Sequence, residues 1–189
     1  MLHPSPIAVL CIKALWLVFV AIWVVSAFRT KRTVYRQPWR QFVASLVCGV
    51  ACVLIANQVP WKWFLPPNPR LEACGIALCA AGIAFAVWAR FTLGRNWSGL
   101  VTLKEDHELI QTGPYRFVRH PIYAGLFLAV FGTVAALLPS AHGLLLLVAI
   151  ATAFAIKLRQ EERLMLRQFP EAYAAYKARV PAAIIPFLF

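Results

Sequence analysis

The sequence predicts an all-α integral membrane protein with five transmembrane helices. Of its 189 residues, 61% are hydrophobic and only 14% are charged, and the mean hydropathy is +0.70. A soluble domain contains about 25% charged residues. The apolar residues are gathered in five runs, and the basic residues lie between alternate pairs of runs, as topology signals do in membrane proteins.

Each predicted span is an apolar run that, with its flanking residues, can cross about 30 Å of hydrocarbon. The first run has no preceding basic segment and is about 22 residues long, so we expect a retained span rather than a cleaved signal peptide. None of the 13 prolines lies in the interior of a run, where it would remove a helical hydrogen bond, and Pro121 opens one. The runs are Ile7–Phe28, Phe42–Ala56, Leu71–Leu93, Pro121–Leu138 and Ala141–Ile156.

The loops orient these spans through the positive-inside rule. Arginine and lysine are abundant after the first, third and fifth runs, whereas the other loops carry only Lys62 and Arg70. We therefore expect the N-terminus outside and the C-terminus in the cytoplasm. We expect one membrane domain over residues 1–189, with a two-span hairpin at 1–70 and a core at 71–189. The loop 94–120 and the tail 157–189 would form a cofactor site on the cytoplasmic side.

Several function classes are disfavoured by the same residues. The net charge of +12 comes from loops between apolar runs, so we expect no nucleic-acid partner. The five cysteines lie in apolar runs without nearby histidine pairs, so we expect no metal site. The sequence has no dinucleotide, phosphate-loop, zinc-protease or serine-triad motif. Glu72, at the end of a run, is the only acidic residue in a predicted span, which disfavours an ion-coupled transporter.

The segment from Gly113 to Gly125 concentrates polar residues at the start of the fourth span. Its Arg119-His120-Pro121 run places proline in the first helical turn, where no N–H partner is needed. The free N–H groups and the dipole of that helix end favour an anion, and Arg119 adds a positive charge. The same residues fit equally well a topology signal that contacts lipid headgroups, with His120 capping the helix.

Two further features follow the fifth span. Glu161 and Glu162 are adjacent in a chain with only seven acidic residues, which is compatible with a site for a cationic ligand. Surface pairing with the basic residues three or four positions earlier is the simpler alternative. Tyr173 and Tyr176 would share a face of a C-terminal helix, a pattern that also fits an amphipathic helix on the membrane surface.

Taken in order, these segments resemble the isoprenylcysteine carboxyl methyltransferase family and the related phospholipid N-methyltransferases. The resemblance covers about residues 93–186. The matching residues are Leu93-Gly94, Trp97-Ser98, His107, Leu109, Gly113-Pro114-Tyr115, Arg119-His120-Pro121, Tyr123, Gly125, Glu161-Glu162, Phe169, Tyr173, Tyr176 and Val180-Pro181. The sequence departs from the pattern at Pro170, where glycine is common, and at Ala182-Ala183, where a basic residue is common. The short architecture is typical of a prokaryotic member, in an inner membrane.

The resemblance implies S-adenosylmethionine as the methyl donor, bound on the cytoplasmic side, and a lipophilic acceptor that enters sideways from the surrounding membrane lipids. It implies that His120 receives the donor's carboxylate and that Glu162 or Glu161 holds its ammonium, while tyrosines pack against the adenine or the sulfonium. The implied cofactor-binding residues are His107, Leu109, Gly113, Tyr115, Arg119, His120, Tyr123, Glu161, Glu162 and Tyr173.

The acceptor that the resemblance favours is a prenylcysteine-type carboxylate, which is already ionised near neutral pH and needs a cationic clamp rather than a base. Arg90 and Arg159 are the residues expected to form this clamp. An amine acceptor, as in a phospholipid, would need a base, which His120 or a glutamate would supply. A sterol-reductase-like membrane oxidoreductase that uses NADPH and a non-enzymatic membrane scaffold are the alternatives outside this class.

Overall fold

The computed structural model describes residues 3–28, 33–36, 65, 68–97, 102–104 and 108–184. The helices among them confirm the all-α class, and the predicted span at 42–56 lies outside the described residues. The elements are α1 (Pro6–Ala27), β1 (Thr33–Arg36), α2 (Pro69–Leu93), β2 (Thr102–Lys104), α3 (Pro121–Leu137), α4 (Ala141–Gln168) and α5 (Pro170–Arg179), with 3-10 turns at Gly94–Asn96 and Gly113–Arg116.

The two strands form a short antiparallel pair that the sequence analysis did not predict. Thr33 lies opposite Lys104 and Arg36 lies opposite Thr102, with an irregularity in register between Thr33 and Tyr35. The pair joins the segment after α1 to the segment after α2. Both segments therefore lie at the same end of the helices.

Three of the described helices are long and apolar enough to cross a membrane: Pro6–Ser26, Pro69–Asn96 and Ala141–Gln168. The shorter apolar helix α3 has 17 residues, which corresponds to about 26 Å. With 28 residues, α4 is about 42 Å long, so it exceeds the hydrocarbon thickness of about 30 Å. Its apolar part ends at Ile156, and the charged part that follows extends beyond the hydrocarbon.

The beginnings of α1 and α2 are joined by Glu72. Ser5 caps α1 by accepting a hydrogen bond from the amide of Ala8. The carboxylate of Glu72, in the first turn of α2, accepts hydrogen bonds from the amide of Ser5 at 2.9 Å and from its hydroxyl at 2.5 Å. This acidic residue at a span end therefore binds the positive end of a neighbouring helix, which accounts for its presence there.

Helices α2 and α3 pack against each other through glycines. A Cβ on Gly82 would lie 2.5 Å from the carbonyl oxygen of Gly125, and a Cβ on Gly75 would lie 2.6 Å from that of Gly132. Only residues without a side chain permit such an approach of two backbones. The seven-residue spacing on both helices repeats the contact two turns away, so the two helices run antiparallel in close contact.

Glycine rather than alanine determines the packed face of α2. The alanines at positions 73, 77 and 81 share a helix face and are exposed, whereas Gly75, Cys79, Gly82 and Ala86 are buried against α3. Glycine allows the closest approach of two helices and therefore decides which face is packed.

Helix α1 covers the α2–α3 pair with large side chains. Ile12 and Phe19 are buried in one apolar cluster with Cys79 and Ile83 of α2. The indole of Trp16 donates a 3.0 Å hydrogen bond to the hydroxyl of Thr133 in α3. With the hydrogen bond from Arg90 to the carbonyl of Ser26, these contacts hold the C-terminal half of α1 beside the end of α2.

Replacing Gly82 by valine is expected to destabilise the protein by about 1–3 kcal/mol, because the new side chain would push apart two backbones in contact. The thermal unfolding midpoint in detergent measures this effect. The matched control is Ala81→Val, which adds a valine at the adjacent exposed position and should leave the midpoint nearly unchanged. Equal midpoints for the two variants would contradict the glycine contact.

Candidate active site

The segment that the sequence analysis singled out is a turn that ends at the beginning of α3. Gly113 has a φ of +57°, which glycine adopts at little cost, and it starts the 3-10 turn Gly113–Arg116 against the side chain of Thr92. His120 holds the N-cap position of α3 and Pro121 follows in the first turn. The His120 side chain forms no cap hydrogen bond, so the turn presents it to other partners.

Arg119 joins this turn to α4 and to the C-terminal tail. Its side chain is buried, and its Nε donates to Oε1 of Glu162 over 2.8 Å. Its Nη1 donates to the carbonyl oxygens of Val180, at 2.7 Å, and of Pro181. The amides of Arg119 and His120 also donate to the carbonyls of residues 182 and 183 at 3.0 and 2.9 Å. The arginine therefore serves the architecture of the site rather than offering a free charge.

Glu162 is the common acceptor of this network. Besides Arg119, Lys177 donates to its Oε2 at 2.7 Å, and Nε2 of His120 lies 3.4 Å from its Oε1. The carboxylate lies beyond the apolar part of α4. Burial acts to raise the pKa of Glu162, but the hydrogen bonds from His120, Lys177 and Arg119 outweigh it and hold that pKa well below its usual range. Glu162 is therefore a buried, fully partnered anion.

Glu161 is placed differently, although it is the adjacent residue. Its side chain lines a cavity, accepts a 2.5 Å hydrogen bond from the hydroxyl of Tyr123, and has an Oε2 that lies 3.6 Å from Nδ1 of His120. The imidazole therefore lies between two carboxylates. Burial acts to lower the pKa of His120, but the hydrogen bonds and charges of Glu161 and Glu162 outweigh it and raise that pKa. The two carboxylates therefore favour the protonated, imidazolium form of His120.

The cavity has a volume of about 370 Å³, and contacts among its lining residues form two chemically different groups. One group, here called the polar end, comes from the turn before α3 and from α3 and α4, where Tyr123 contacts His120, Glu161 and Lys157. The other, here called the aromatic end, belongs to α1 and the end of α2, where the ring of Trp23 contacts those of Phe19 and Trp97. The polar residues are Tyr115, Arg119, His120, Tyr123, Lys157 and Glu161. The residues of the aromatic end are Phe19, Trp23, Leu93, Asn96 and Trp97.

A third side of the cavity is formed by α5 together with Leu109. Tyr173 and Tyr176 are buried against Met165 and Leu109, and the hydroxyl of Tyr176 donates to the carbonyl of Tyr115 at 2.7 Å. Burial raises the pKa of Tyr173, and it raises the pKa of Tyr176 to about 12. The phenols therefore stay neutral near pH 7. The C-terminal helix is thus a wall of the cavity, in addition to its amphipathic pattern.

The structure brings most of the expected cofactor residues to this cavity. Leu109, Tyr115, Arg119, His120, Tyr123, Glu161 and Tyr173 line it. Gly113 supports the turn from behind, and Glu162 lies in the adjoining ion network. His107 lies outside the described residues.

The two arginines expected to clamp an acceptor do not line this cavity. Arg159 is exposed on α4. Arg90 is buried, and its guanidinium donates to the carbonyls of Ser26, at 2.6 Å, and Gly94, at 2.8 Å. The guanidinium carbon of Arg90 lies 4.4 Å from the ring centre of Trp97, which does line the cavity. Arg90 therefore supports the aromatic end from behind.

Sequence reasoning missed several residues of the site. Lys157 was considered only as a surface partner of the glutamates, although its ammonium lies 5.5 Å from the ring centre of Tyr123. Lys177 was not among the expected site residues, although it donates to Glu162. Phe19 and Trp23, four residues apart on α1, pack ring against ring at 4.7 Å and face the cavity. Their spacing was the available signal, but an aromatic pair in an apolar span is indistinguishable from lipid-facing or core residues without the fold.

Much of the site lies in a segment that is similar to known proteins. Residues 75–167 match the family model of the isoprenylcysteine carboxyl methyltransferase (ICMT) family, which confirms the resemblance found in the sequence. A protein-S-isoprenylcysteine O-methyltransferase of Mus musculus is 31% identical over 120 residues, which are 62% of this chain and 42% of that protein. A nickel-cobalt-cadmium resistance protein of Alcaligenes xylosoxydans xylosoxydans is 35% identical over 138 residues, 72% of this chain and 60% of that protein.

A solved structure shares the fold. The eukaryotic intramembrane Ras methyltransferase ICMT superimposes with a TM-score of 0.56 at 25% sequence identity, over 82% of this chain and 55% of that chain. The chain thus spans between 42% and 60% of the length of these relatives. The matched region contains the turn before α3 and both glutamates of α4.

Replacing Arg119 by leucine is expected to destabilise the protein by about 3–5 kcal/mol, because a buried carboxylate loses a bonded cation. Thermal unfolding in detergent measures the loss, and hydrogen exchange should become faster at the amides of residues 119 and 120. The matched control is Arg116→Leu, at an exposed position in the same turn. If both variants unfold at the wild-type temperature, the network does not hold the tail.

The stabilising effect of His120 should depend on pH. The folded state raises its pKa, so its contribution is complete below the unfolded value of about 6.5 and is lost as the pH rises through the folded value. The difference in unfolding midpoint between wild type and His120→Asn, measured from pH 5.5 to 9, should therefore shrink as pH increases. His3→Asn, at an exposed position, is the control. A difference that grows with pH would contradict an imidazolium at this position.

Proposed function

We propose, from the premise that residues 75–167 belong to the isoprenylcysteine carboxyl methyltransferase family, that the chain is a membrane-embedded methyltransferase that uses S-adenosylmethionine. Its acceptor is the carboxylate of a prenylcysteine-type lipid. The single observation that carries the proposal is the cavity, in which ionic side chains from α3 and α4 and aromatic side chains from α1 and α2 face one space. A charged donor and a lipophilic acceptor require such a combination.

The described residues fit the chemistry of S-adenosylmethionine. Its amino acid end carries an ammonium and a carboxylate, for which Glu161 offers an anionic acceptor and His120 and Lys157 offer positive charge. Tyr115 and Tyr173 offer ring surface for its adenine and for its sulfonium cation. A volume of about 370 Å³ lies within the range of small-molecule sites, about 300–1,000 Å³. When bound, the donor supplies a methyl group activated by attachment to a sulfonium sulfur.

The protein's part in such a transfer is to bind, orient and exclude water. The tie between Arg119 and Glu162 fixes the start of α3 against α4, which sets the position of Glu161 beside His120. The wall formed by α5 covers the polar end. Holding the two reactants in line removes a large part of the free-energy barrier to methyl transfer between them. Glu162 therefore acts as a positioning residue, while Glu161 makes the proposed contact with the ammonium.

The protonation of His120 favours a carboxylate acceptor over an amine. An imidazolium held between two carboxylates has no free lone pair to accept a proton, so it is a poor general base. A carboxylate is already ionised near neutral pH and needs no base, whereas an ammonium must lose a proton before it can attack. Several relatives bear the name protein-S-isoprenylcysteine O-methyltransferase, which agrees with this choice.

The acceptor's route follows from α1. Phe19 and Trp23 face the cavity, and the opposite face of the same helix exposes large apolar residues to the bilayer. An isoprenoid chain would lie along this side and bring its carboxylate to the cavity. The positive-inside rule and the basic loops support a polar end on the cytoplasmic side and an N-terminus outside.

A role in metal binding does not follow from the metal-resistance name of one relative. The described residues contain no group of three or more histidine, cysteine, aspartate or glutamate side chains that could hold a metal ion.

Arg90 contributes to the proposed reaction by supporting Trp97 at the aromatic end.

Replacing Glu161 by glutamine is expected to weaken binding of S-adenosylmethionine at least tenfold, or about 1.4 kcal/mol, because the ammonium would lose its anionic partner. Isothermal titration in detergent, with the donor and with its demethylated product, measures the effect. Glu171→Gln, which removes an exposed carboxylate on α5, is the matched control and should bind like wild type.

Wild-type affinity in Glu161→Gln would remove the role assigned to this residue. A folded wild-type protein that binds neither the donor nor its product would overturn the proposed function itself. Methylation of an S-farnesyl cysteine derivative, with radiolabelled donor, then tests the acceptor class, since a phospholipid methylated in its place would point to the amine alternative.

A further inference from the structure

Asn96 lines the cavity and is 7% exposed. Its side-chain Oδ1 is buried and has no hydrogen-bond partner among the residues that the structure describes. Its neighbours along the wall are apolar or aromatic. Buried polar atoms are almost always hydrogen-bonded, and an exception at a binding cavity points to a group supplied by a ligand. A carbonyl oxygen can only accept, so that group must be an N–H or O–H donor.

The turn whose backbone carries this side chain is firmly held. Asn96 ends the 3-10 turn that follows α2, and Gly94 begins that turn with a φ of +56°. The guanidinium of Arg90 binds the carbonyl of Gly94 and that of Ser26, so the turn is tied to the end of α1. Trp97, the next residue, lies between that guanidinium and the ring of Trp23. The turn that carries Asn96 is therefore preorganised, which favours a specific contact at this position.

The place of Asn96 in the cavity indicates which reactant it meets. It shares the aromatic end with Phe19 and Trp23, on the helix that borders the bilayer, whereas the groups suited to the methyl donor come from α3 and α4. A lipophilic acceptor reaches the cavity on this side. The indole rings of Trp23 and Trp97 each offer one hydrogen-bond donor, the ring N–H. They therefore contact a methyl acceptor mainly through their apolar surface.

We infer that Oδ1 of Asn96 accepts a hydrogen bond from the amide N–H that neighbours the carboxylate in the acceptor. The inference rests on the proposed function and makes it more specific, since a lipid acid without an N–H would leave this oxygen unpaired. A site built to bind a polar group rejects an analogue that lacks it, because its own buried group then stays unsatisfied. Asn96 is thus a specificity residue for a cysteine-like acceptor.

Two acceptors that differ in the N–H test this. N-acetyl-S-farnesyl-cysteine carries the thioether, the carboxylate and the N–H, whereas S-farnesyl-3-thiopropionic acid has the first two only. Wild type should prefer the former about tenfold in kcat/KM. Asn96→Leu should bring the ratio of kcat/KM between the two acceptors close to one, a change of about tenfold that is equivalent to about 1.4 kcal/mol. Donor affinity, by titration, should stay within about twofold of wild type.

The outcomes separate cleanly. An equal loss on both acceptors, or a tenfold loss of donor affinity, overturns the inference while the proposed function stands, and the latter would assign Asn96 to the adenine. Should Asn96→Leu fail to fold, the wild-type preference and the milder Asn96→Ser decide, and a wild-type ratio near one overturns the inference. If wild type binds the donor but methylates neither acceptor, the proposed acceptor class is what has failed, and the inference fails with it.

Discussion

The guanidinium of Arg119 is the interaction on which the site depends. It is buried, and burying a charge is unfavourable unless the charge is fully bonded. Glu162 and the tail carbonyls supply those bonds from segments more than 40 residues away in sequence. Three parts of the chain that surround the cavity are thereby fixed to one side chain. Glu161, the residue before the bonded glutamate, is turned by the same tie toward the cavity and toward His120.

The membrane helices prepare the place where that tie forms. Close contact between Gly82 and Gly125 lets α2 and α3 run antiparallel with little space between them, so the end of α2 meets the start of α3. Gly113, in the turn before α3, packs on Thr92 at the end of α2. The two turns that supply Asn96 and His120 to the cavity thus lie at one end of one helix pair. The glycines lie away from the cavity, but their contact determines where the two turns can meet to form it.

The sequence predicted the class of fold and the segments of the site better than the roles of single residues. The apolar runs and the charged loops follow directly from the free-energy cost of placing polar groups in lipid. The spans could therefore be predicted from the sequence alone. The different roles of Glu161 and Glu162 could not be predicted, because they depend only on the directions in which α4 points the two side chains. The packed face of α2 was not predicted, because small residues recur on more than one face of this helix. Their spacing does not show that the face with glycine permits the closer approach. Asn96 gave no signal, since an unsatisfied carbonyl becomes visible only when its surroundings are known.

The same network also limits the chemistry that the cavity can support. His120 is stabilised in its charged form by carboxylates on both sides, and giving up its proton would leave those two anions facing each other across a neutral ring. The tyrosines hold their protons near pH 7 as well. Methyl transfer to a carboxylate produces a neutral ester and releases no proton, whereas transfer to an amine requires one to be removed. A site whose acids and bases are bound to one another is therefore suited to the acceptor that needs neither.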